Sequence, residues 1–166
     1  MEKKFNFQGI GVVVLVISDS CSLEPHRDKS GVELEKLLKK LGGSVVAKEI
    51  IPDIKKKIAS KLMTYCHKDG VSVILTSGGT GFGVRDVTPE ATRSVIEKEA
   101  LGLAEIMRYE GLKKTKRAAL SRGISGISNK VLIVNLPGSP KGACESFLAI
   151  ADLIPHALNM IRGQGH

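Results

Sequence analysis

Hydrophobic and polar positions alternate along the chain between short, unbroken apolar runs and longer stretches with helical spacing. The run from Ile10 to Ile17 contains Gly11-Val12-Val13-Val14-Leu15-Val16-Ile17, and its β-branched continuity predicts a strand buried on both faces. After a polar loop from Cys21 to Lys29, Ser30 is placed to cap a helix. Its Leu34, Leu37, Leu38 and Leu41 make one apolar stripe, and Gly42-Gly43 ends it. Ser44 to Ile51 reads as a second strand closed by Pro52, followed by a helix with Ile54, Ile58 and Leu62 on one face. Val71 to Thr76 reads as a third strand, running into the glycine-rich Ser77-Gly78-Gly79-Thr80-Gly81-Phe82-Gly83, which must be a loop. Thr88 as N-cap with Pro89 behind it restarts a helix through about Glu99, and Leu103, Ile106 and Met107 mark a further helical segment. A looser basic stretch follows. Lys130 to Leu136 predicts a fourth strand, cut by Pro137-Gly138-Ser139-Pro140, and a last helix runs from about Lys141 to about Arg162 with a break near Pro155. Strands alternating with helices predict an α/β fold with a mostly parallel sheet.

Composition narrows the class. A chain of 166 residues with 42% hydrophobic and 25% charged residues is expected to form a single folded domain over 1–166, with its ordered core at about 8–163. Aromatics are only 4% with no Trp, so the core must be aliphatic, and a stacking platform for single-stranded nucleic acid is disfavoured. The formal net charge of +8 favours anionic partners without choosing among nucleic acid, acidic lipid and phosphorylated small molecules. The basic runs Lys3-Lys4, Lys39-Lys40, Lys55-Lys56-Lys57 and Lys113-Lys114-Thr115-Lys116-Arg117 read first as solvated faces. Cys21, Cys66 and Cys144 are odd in number and form no CxxC, and His26 and His67 do not complete a zinc set. The chain is therefore expected in a reducing, cytoplasmic setting. Lys3-Lys4 ahead of the apolar run imitates a signal peptide, but Ser18-Asp19-Ser20-Cys21 offers no small-residue cleavage pattern, and the run is too short to span a bilayer.

Ligands of open α/β sheets bind beyond the carboxyl ends of the strands, so the segments following each strand are the candidates for chemistry. These are Ser18-Asp19-Ser20, Pro52-Asp53, Ser77 through Asp86, and Pro137-Gly138-Ser139-Pro140-Lys141. A Gly-Gly-Thr-Gly turn lets backbone N–H groups converge on phosphate oxygens with the Thr80 hydroxyl beside them, although a plain tight turn has the same composition. It is neither a Walker loop nor a G-x-G-x-x-G fingerprint. Arg85-Asp86 pairs a phosphate-binding guanidinium with a carboxylate able to hold Mg²⁺ or orient a reacting group; a surface ion pair is its simpler reading. Asp53 taken alone reads first as a helix cap. Two carboxylates at strand ends with a phosphate loop between them point toward magnesium-dependent phosphoryl or nucleotidyl transfer.

The combination of Ser77-Gly78-Gly79-Thr80-Gly81, Arg85-Asp86-Val87-Thr88-Pro89-Glu90-Ala91-Thr92, Leu136-Pro137-Gly138-Ser139-Pro140-Lys141 and Ser18-Asp19-Ser20 resembles the molybdopterin adenylyltransferase (MoaB/Mog) family of molybdenum cofactor biosynthesis over nearly the whole chain. The resemblance implies a three-layer α/β/α domain, assembled as a homotrimer or hexamer, that binds molybdopterin and ATP with Mg²⁺. It further implies transfer of AMP to the terminal phosphate of molybdopterin, with release of pyrophosphate. Asp53 and Asp86 align with the family's catalytic aspartates and would hold the magnesium. Ser18, Asp19, Ser77, Gly78, Gly79, Thr80, Gly81, Arg85, Pro137, Gly138, Ser139 and Lys141 would bind substrate phosphates. A molybdenum-insertion protein is an implied partner; nucleic acid and membranes are not. The chain departs from the family at Ile54, where another acidic residue often follows the aspartate. The alternatives are a non-catalytic molybdopterin carrier of the same fold and a basic nucleic-acid-binding domain, which would account only for the charge and lacks the usual reading motifs. The length argues against the larger insertion proteins that carry this domain among others.

Overall fold

The computed structural model describes residues 6–164; the Lys3-Lys4 pair lies outside them. Strands β1 (Gly11–Ile17), β2 (Ser44–Ile51), β3 (Val73–Ser77), β4 (Lys98–Glu99), β5 (Ser125–Ser128) and β6 (Val131–Leu136) form one six-stranded sheet in the order β2-β1-β3-β6-β5-β4. The first four strands of that order run parallel, and β5 and β4 close one edge antiparallel. The helices are α1 (Asp19–Leu23), α2 (Ser30–Lys40), α3 (Lys55–Cys66), α4 (Thr88–Arg93), α5 (Leu101–Leu112), α6 (Pro140–Ile150) and α7 (Ile154–Ile161).

Every residue of β1 is buried, and its alternate side chains enter two separate cores. Val12, Val14 and Val16 pack with Leu34 and Leu38 of α2, Ala104 and Met107 of α5, and Phe147 of α6. Val13, Leu15 and Ile17 pack with Ile58 and Leu62 of α3 and Ala91 of α4. This is the three-layer α/β/α arrangement that the unbroken apolar runs require, because a strand without a polar face must be covered on both sides. One of the few aromatic contacts, Phe7 against Phe147 with centroids 5.6 Å apart, lies in the first core.

The crossover from β1 through α2 to β2 runs one way along the sheet, and that from β2 through α3 to β3 runs back past β1. Right-handed crossovers in opposite directions must use opposite faces, which is why α2 and α3 lie in different cores. The direction reverses between β1 and β3, so the crevice beyond their carboxyl ends is the topological switch point where this class of sheet binds ligands.

Several local expectations are corrected. The segment read as a polar loop after β1 holds the short α1 and a 3₁₀ turn at Pro25–Arg27. Ser30 is the first residue of α2 rather than its cap; the Asp28 carboxylate accepts the Gly31 N–H at 2.8 Å instead. The third strand begins at Val73 and takes in Ser77. Thr88 does not cap α4, because its hydroxyl donates to the Gly78 carbonyl at 2.9 Å. The helix expected to reach Glu99 stops at Arg93, and Lys98–Glu99 leaves it to pair with β5. The stretch read as loose and basic ends in β5, which turns into β6 through Asn129 and Lys130 with φ of 45° and 66°. Two successive positive φ angles define the hairpin turn whose twist suits paired strands. The final helix breaks ahead of Pro155, as expected.

Candidate functional site

All four segments singled out at the strand ends meet at the switch point. Ser18 ends the extended chain and caps α1 by accepting the Cys21 N–H at 3.1 Å, which turns Asp19 across the mouth of the sheet. Asp19 and Asp53 then exchange bonds over 34 residues: the Asp53 carboxylate accepts the Asp19 N–H at 2.8 Å, and the Asp19 carboxylate accepts the Asp53 N–H at 2.9 Å. Arg85 reaches back to Asp19 with two bonds of 2.9 Å, from Nε and from one terminal nitrogen. Asp53 is thus not the cap of α3, whose N-cap is Ile54 with no side-chain bond. Its carboxylate faces the glycine turn.

That turn is possible only with glycine. Gly78 has φ +110°, and a Cβ there would stand 2.2 Å from the carbonyl oxygen of Ile17 on β1. Gly79 has φ +65°, and a Cβ there would lie 2.2 Å from the Thr88 hydroxyl and 3.2 Å from Asp53 Oδ1. The turn therefore passes close to Asp53 at Gly79 and to Asp86 at Gly81 and Gly83, where Cβ atoms would meet Asp86 Oδ2 at 2.9 and 2.8 Å. The Asp86 carboxylate accepts the Gly83 N–H at 2.8 Å, which orients it. Across the turn, the Ser77 hydroxyl donates to the Pro137 carbonyl at 2.9 Å, and Ser139 caps α6 by accepting the Gly142 N–H at 3.2 Å.

The charges are uneven. Burial, followed by the charges of Asp19 and Asp86, pushes the Asp53 carboxyl above its ordinary value, whereas Arg85 holds that of Asp19 below the usual range. Asp53 is therefore a half-buried carboxylate whose charge is less well solvated than that of Asp19. Among the described residues no three His, Cys, Asp or Glu side chains converge into a ready-made metal cage. Magnesium is commonly held by one or two carboxylates together with substrate phosphates, and the oxygen donors of Asp53 and Asp86 suit that mode.

Beside the turn opens a cavity of about 830 Å³, bounded by the glycine turn, the carboxyl-terminal half of α5, the basic stretch after it, and α6. Gly79, Thr80, Gly81, Asp86, Pro137, Gly138 and Ser139 line it, and Asp53, Asp19, Ser18 and Arg85 do not. The candidate residues thus fall into two groups, one that lines the cavity, Asp86 included, and one bonded around Asp19 and Asp53. Lys141, exposed in the first turn of α6, joins neither. Residues absent from the expectation also line the cavity: Asn135, Met107 and Arg108, with Lys114 and Arg117 from the run read as solvated. Lys114 pairs with Glu145 of α6 at 2.9 Å across it. Asn135 bonds the hydroxyls of Thr76 at 3.0 Å and Thr92 at 2.9 Å, tying β6 to β3 and α4 beneath the site. Asn135 lies within β6 and the others lie in or after α5, so only the packing of α5 and the stretch after it beside α6 and the glycine turn brings them to the cavity.

A model of the family described as a probable molybdopterin binding domain matches residues 13–156. The chain is 46% identical over 149 residues to the molybdenum cofactor synthesis protein cinnamon of Drosophila melanogaster, covering 89% of this chain and 25% of that protein, so it spans about a quarter of that relative. It is 38% identical over 158 residues to a molybdopterin adenylyltransferase of Helicobacter pylori, covering 94% of this chain and 90% of that one. The solved structure of the molybdopterin biosynthesis enzyme MoaB from Thermus thermophilus superposes with a TM-score of 0.86 at 43% identity, covering 93% of this chain and 97% of that one. With the strand-end segments assembled at the switch point of the same fold, the chain belongs to the MoaB/Mog family of molybdopterin-binding domains of molybdenum cofactor biosynthesis.

Proposed function

We propose that the chain is a molybdopterin adenylyltransferase, transferring AMP from ATP to the terminal phosphate of molybdopterin with release of pyrophosphate. The observation that carries this reading is that Asp53 and Asp86 both lie against one glycine turn, Asp53 at Gly79 and Asp86 at Gly81 and Gly83, beside a cavity of about 830 Å³ that Asp86 lines. The Helicobacter pylori relative named for this activity supports it over most of both chains. In this reading the cavity takes the pterin, and its terminal phosphate meets the backbone of Gly79, Thr80 and Gly81 near the Ser139 hydroxyl. Asp53 and Asp86 would hold Mg²⁺, which when bound would supply neutralisation of charge on the transferring and leaving phosphate groups. Arg85 keeps the Asp19 carboxylate engaged, while Asp53 Oδ1 faces the glycine turn at Gly79. The turn holds the attacking phosphate oxygen in line with the α-phosphorus, and this positioning supplies most of what the transfer asks of the protein.

Three free cysteines support activity in a reducing cytoplasm. Among the described residues no helix is long and apolar enough to cross a membrane. Exposed Leu101, Leu112 and Leu153 support self-association, and the family resemblance makes a trimer or hexamer the assembly to test by sedimentation. Asp86→Ala is the direct test of function: molybdopterin binding is expected to persist while adenylylation collapses. Equal loss of binding and turnover, or loss of neither, contradicts the proposal. Tight binding without product in the parent protein would favour the carrier reading and direct attention to Ile54 and Lys55-Lys56-Lys57.

A further inference from the structure

The Asp86 loop is fastened by a residue that belongs to neither the loop nor any strand end. Arg122 lies in the link between the 3₁₀ turn at Lys116–Leu120 and β5. Its Nε donates to the Gly81 carbonyl at 2.7 Å, one terminal nitrogen donates to the Asp86 carbonyl at 2.6 Å, and the other pairs with the Glu90 carboxylate. Its own backbone N–H donates to the Thr80 carbonyl at 2.9 Å. One side chain therefore holds both ends of the segment 81–86 and the first turn of α4 that follows it. Between those ends Phe82 and Val84 are exposed, so few packing contacts fix the segment.

Arg122 is itself anchored. The neighbouring Gly123 carbonyl accepts from Arg108 of α5 at 2.9 Å, and the Ile124 N–H bonds Asn135 Oδ1 at 3.3 Å. The other oxygen of Glu90 is buried with no hydrogen-bond partner among the described residues, and the bond to Arg122 is the largest influence holding this carboxyl below its ordinary value. A planar guanidinium fixes the directions of several acceptors at once, whereas a lysine ammonium offers a point charge without that fork. The partners lie 32 to 41 residues earlier in the chain, joining the wall of the cavity to the turn that carries the candidate chemistry.

We propose that Arg122 is a positioning residue for Asp86: by gripping the Gly81 and Asp86 carbonyls and Glu90, it sets the distance of the Asp86 carboxylate from Asp53 across the glycine turn. It touches no substrate in this role. The inference rests on the reading of Asp86 as a group that acts in adenylyl transfer, and the experiment separates the two.

Parent, Arg122→Lys, Glu90→Gln, Asp86→Asn and the double variant Arg122→Lys/Asp86→Asn are compared for melting temperature, molybdopterin affinity, turnover, and amide exchange at Gly83 and Asp86. In Arg122→Lys, turnover is expected to fall about 10- to 100-fold, the size of effect a misplacement of about 1 Å produces. Its molybdopterin affinity is expected to stay within about threefold of the parent, the pattern of an interaction used in the transition state rather than in ground-state binding. Amides at Gly83 and Asp86 are expected to exchange faster, Glu90→Gln to show the same changes more weakly, and the double variant to be no slower than Asp86→Asn alone. Unchanged turnover in Arg122→Lys, affinity and turnover falling together, or losses that multiply in the double variant each overturn the proposal. If the parent transfers no AMP, the functional reading fails by itself. The exchange data then still decide the positioning role, and unchanged exchange in Arg122→Lys overturns it.

Discussion

Replacing Gly78 by alanine tests the claim that the turn is built by close approach of β3 to β1, and Gly70→Ala supplies the control. Both residues have positive φ, +110° and +80°, so alanine at either is strained by the backbone alone. That strain is about 1–2 kcal/mol. At Gly70 a Cβ would meet nothing within 4 Å, so strain is the whole effect. At Gly78 the Cβ would stand 2.2 Å from the Ile17 carbonyl oxygen, a backbone atom held in β1 by two neighbouring strands. It cannot rotate away, so β1 and β3 must separate at their carboxyl ends. Overpacking of this kind costs about 1–3 kcal/mol more. Gly78→Ala should therefore lose about 2–5 kcal/mol in urea unfolding, the sum of those two effects. Gly70→Ala should lose no more than about 2 kcal/mol, with unchanged m-values in both variants. In melting temperature the extra loss is about 2–4 °C per kcal/mol for a chain of this size. If Gly78→Ala is no less stable than Gly70→Ala, the close approach of the turn to β1 is wrong. If it is less stable but binds molybdopterin normally, the turn is structural and not part of the site.

Other expectations concern positions away from that contact. Lys130→Gly should raise stability by up to about 1 kcal/mol, because Lys130 has φ +66° in the β5–β6 turn and glycine carries no Cβ penalty there; thermal melting checks this, and a loss of stability would contradict the turn geometry. Asn135→Ala should cost about 2–4 kcal/mol, since it strips bonds from buried Thr76, Thr92 and the Ile124 N–H; a loss below about 1 kcal/mol, read by the same unfolding assay, would show that the network is dispensable. Burial and the Glu49 carboxylate push the Tyr65 hydroxyl up to about 12 from its ordinary 10.0, so the neutral phenol is the favoured form in the fold. Its contribution is complete below pH 10 and disappears as pH rises toward 12, so the stability gap between the parent and Tyr65→Phe should close across that window. A gap that stays constant would refute the Tyr65–Glu49 bond.

The parallel half of the sheet was legible because strands buried on both faces must be written as continuous apolar runs, and β1 shows this most plainly. The antiparallel edge was not. Ser125-Gly126-Ile127-Ser128 has no apolar run, its turn is Asn129-Lys130 rather than Asn-Gly, and β4 is formed by two charged residues at the end of a helical pattern. Strand-end reasoning found Asp53, Asp86, Asp19 and the glycine turn, because a parallel sheet places those segments together whatever lies between them. It could not choose between cap and ligand for Asp53, since the choice depends on an exchange of bonds with Asp19 made across 34 residues. Arg122 left no local signature, because all its acceptors are brought to it by the fold. Lys114 and Arg117 were hidden for a different reason: a charge run reads as solvated unless the opposite wall, here α6, is known.

The adenylyl-transfer claim is tested most directly by following two labels of ATP in the presence of the protein, Mg²⁺ and molybdopterin, with pterin-free and metal-free controls. Label at the α-phosphate is expected to enter the pterin product and label at the γ-phosphate to leave as pyrophosphate, both only when pterin and Mg²⁺ are present, and Asp86→Ala is expected to abolish the transfer. Transfer of γ-label to the pterin, pyrophosphate release without pterin, or no transfer alongside tight molybdopterin binding would contradict it.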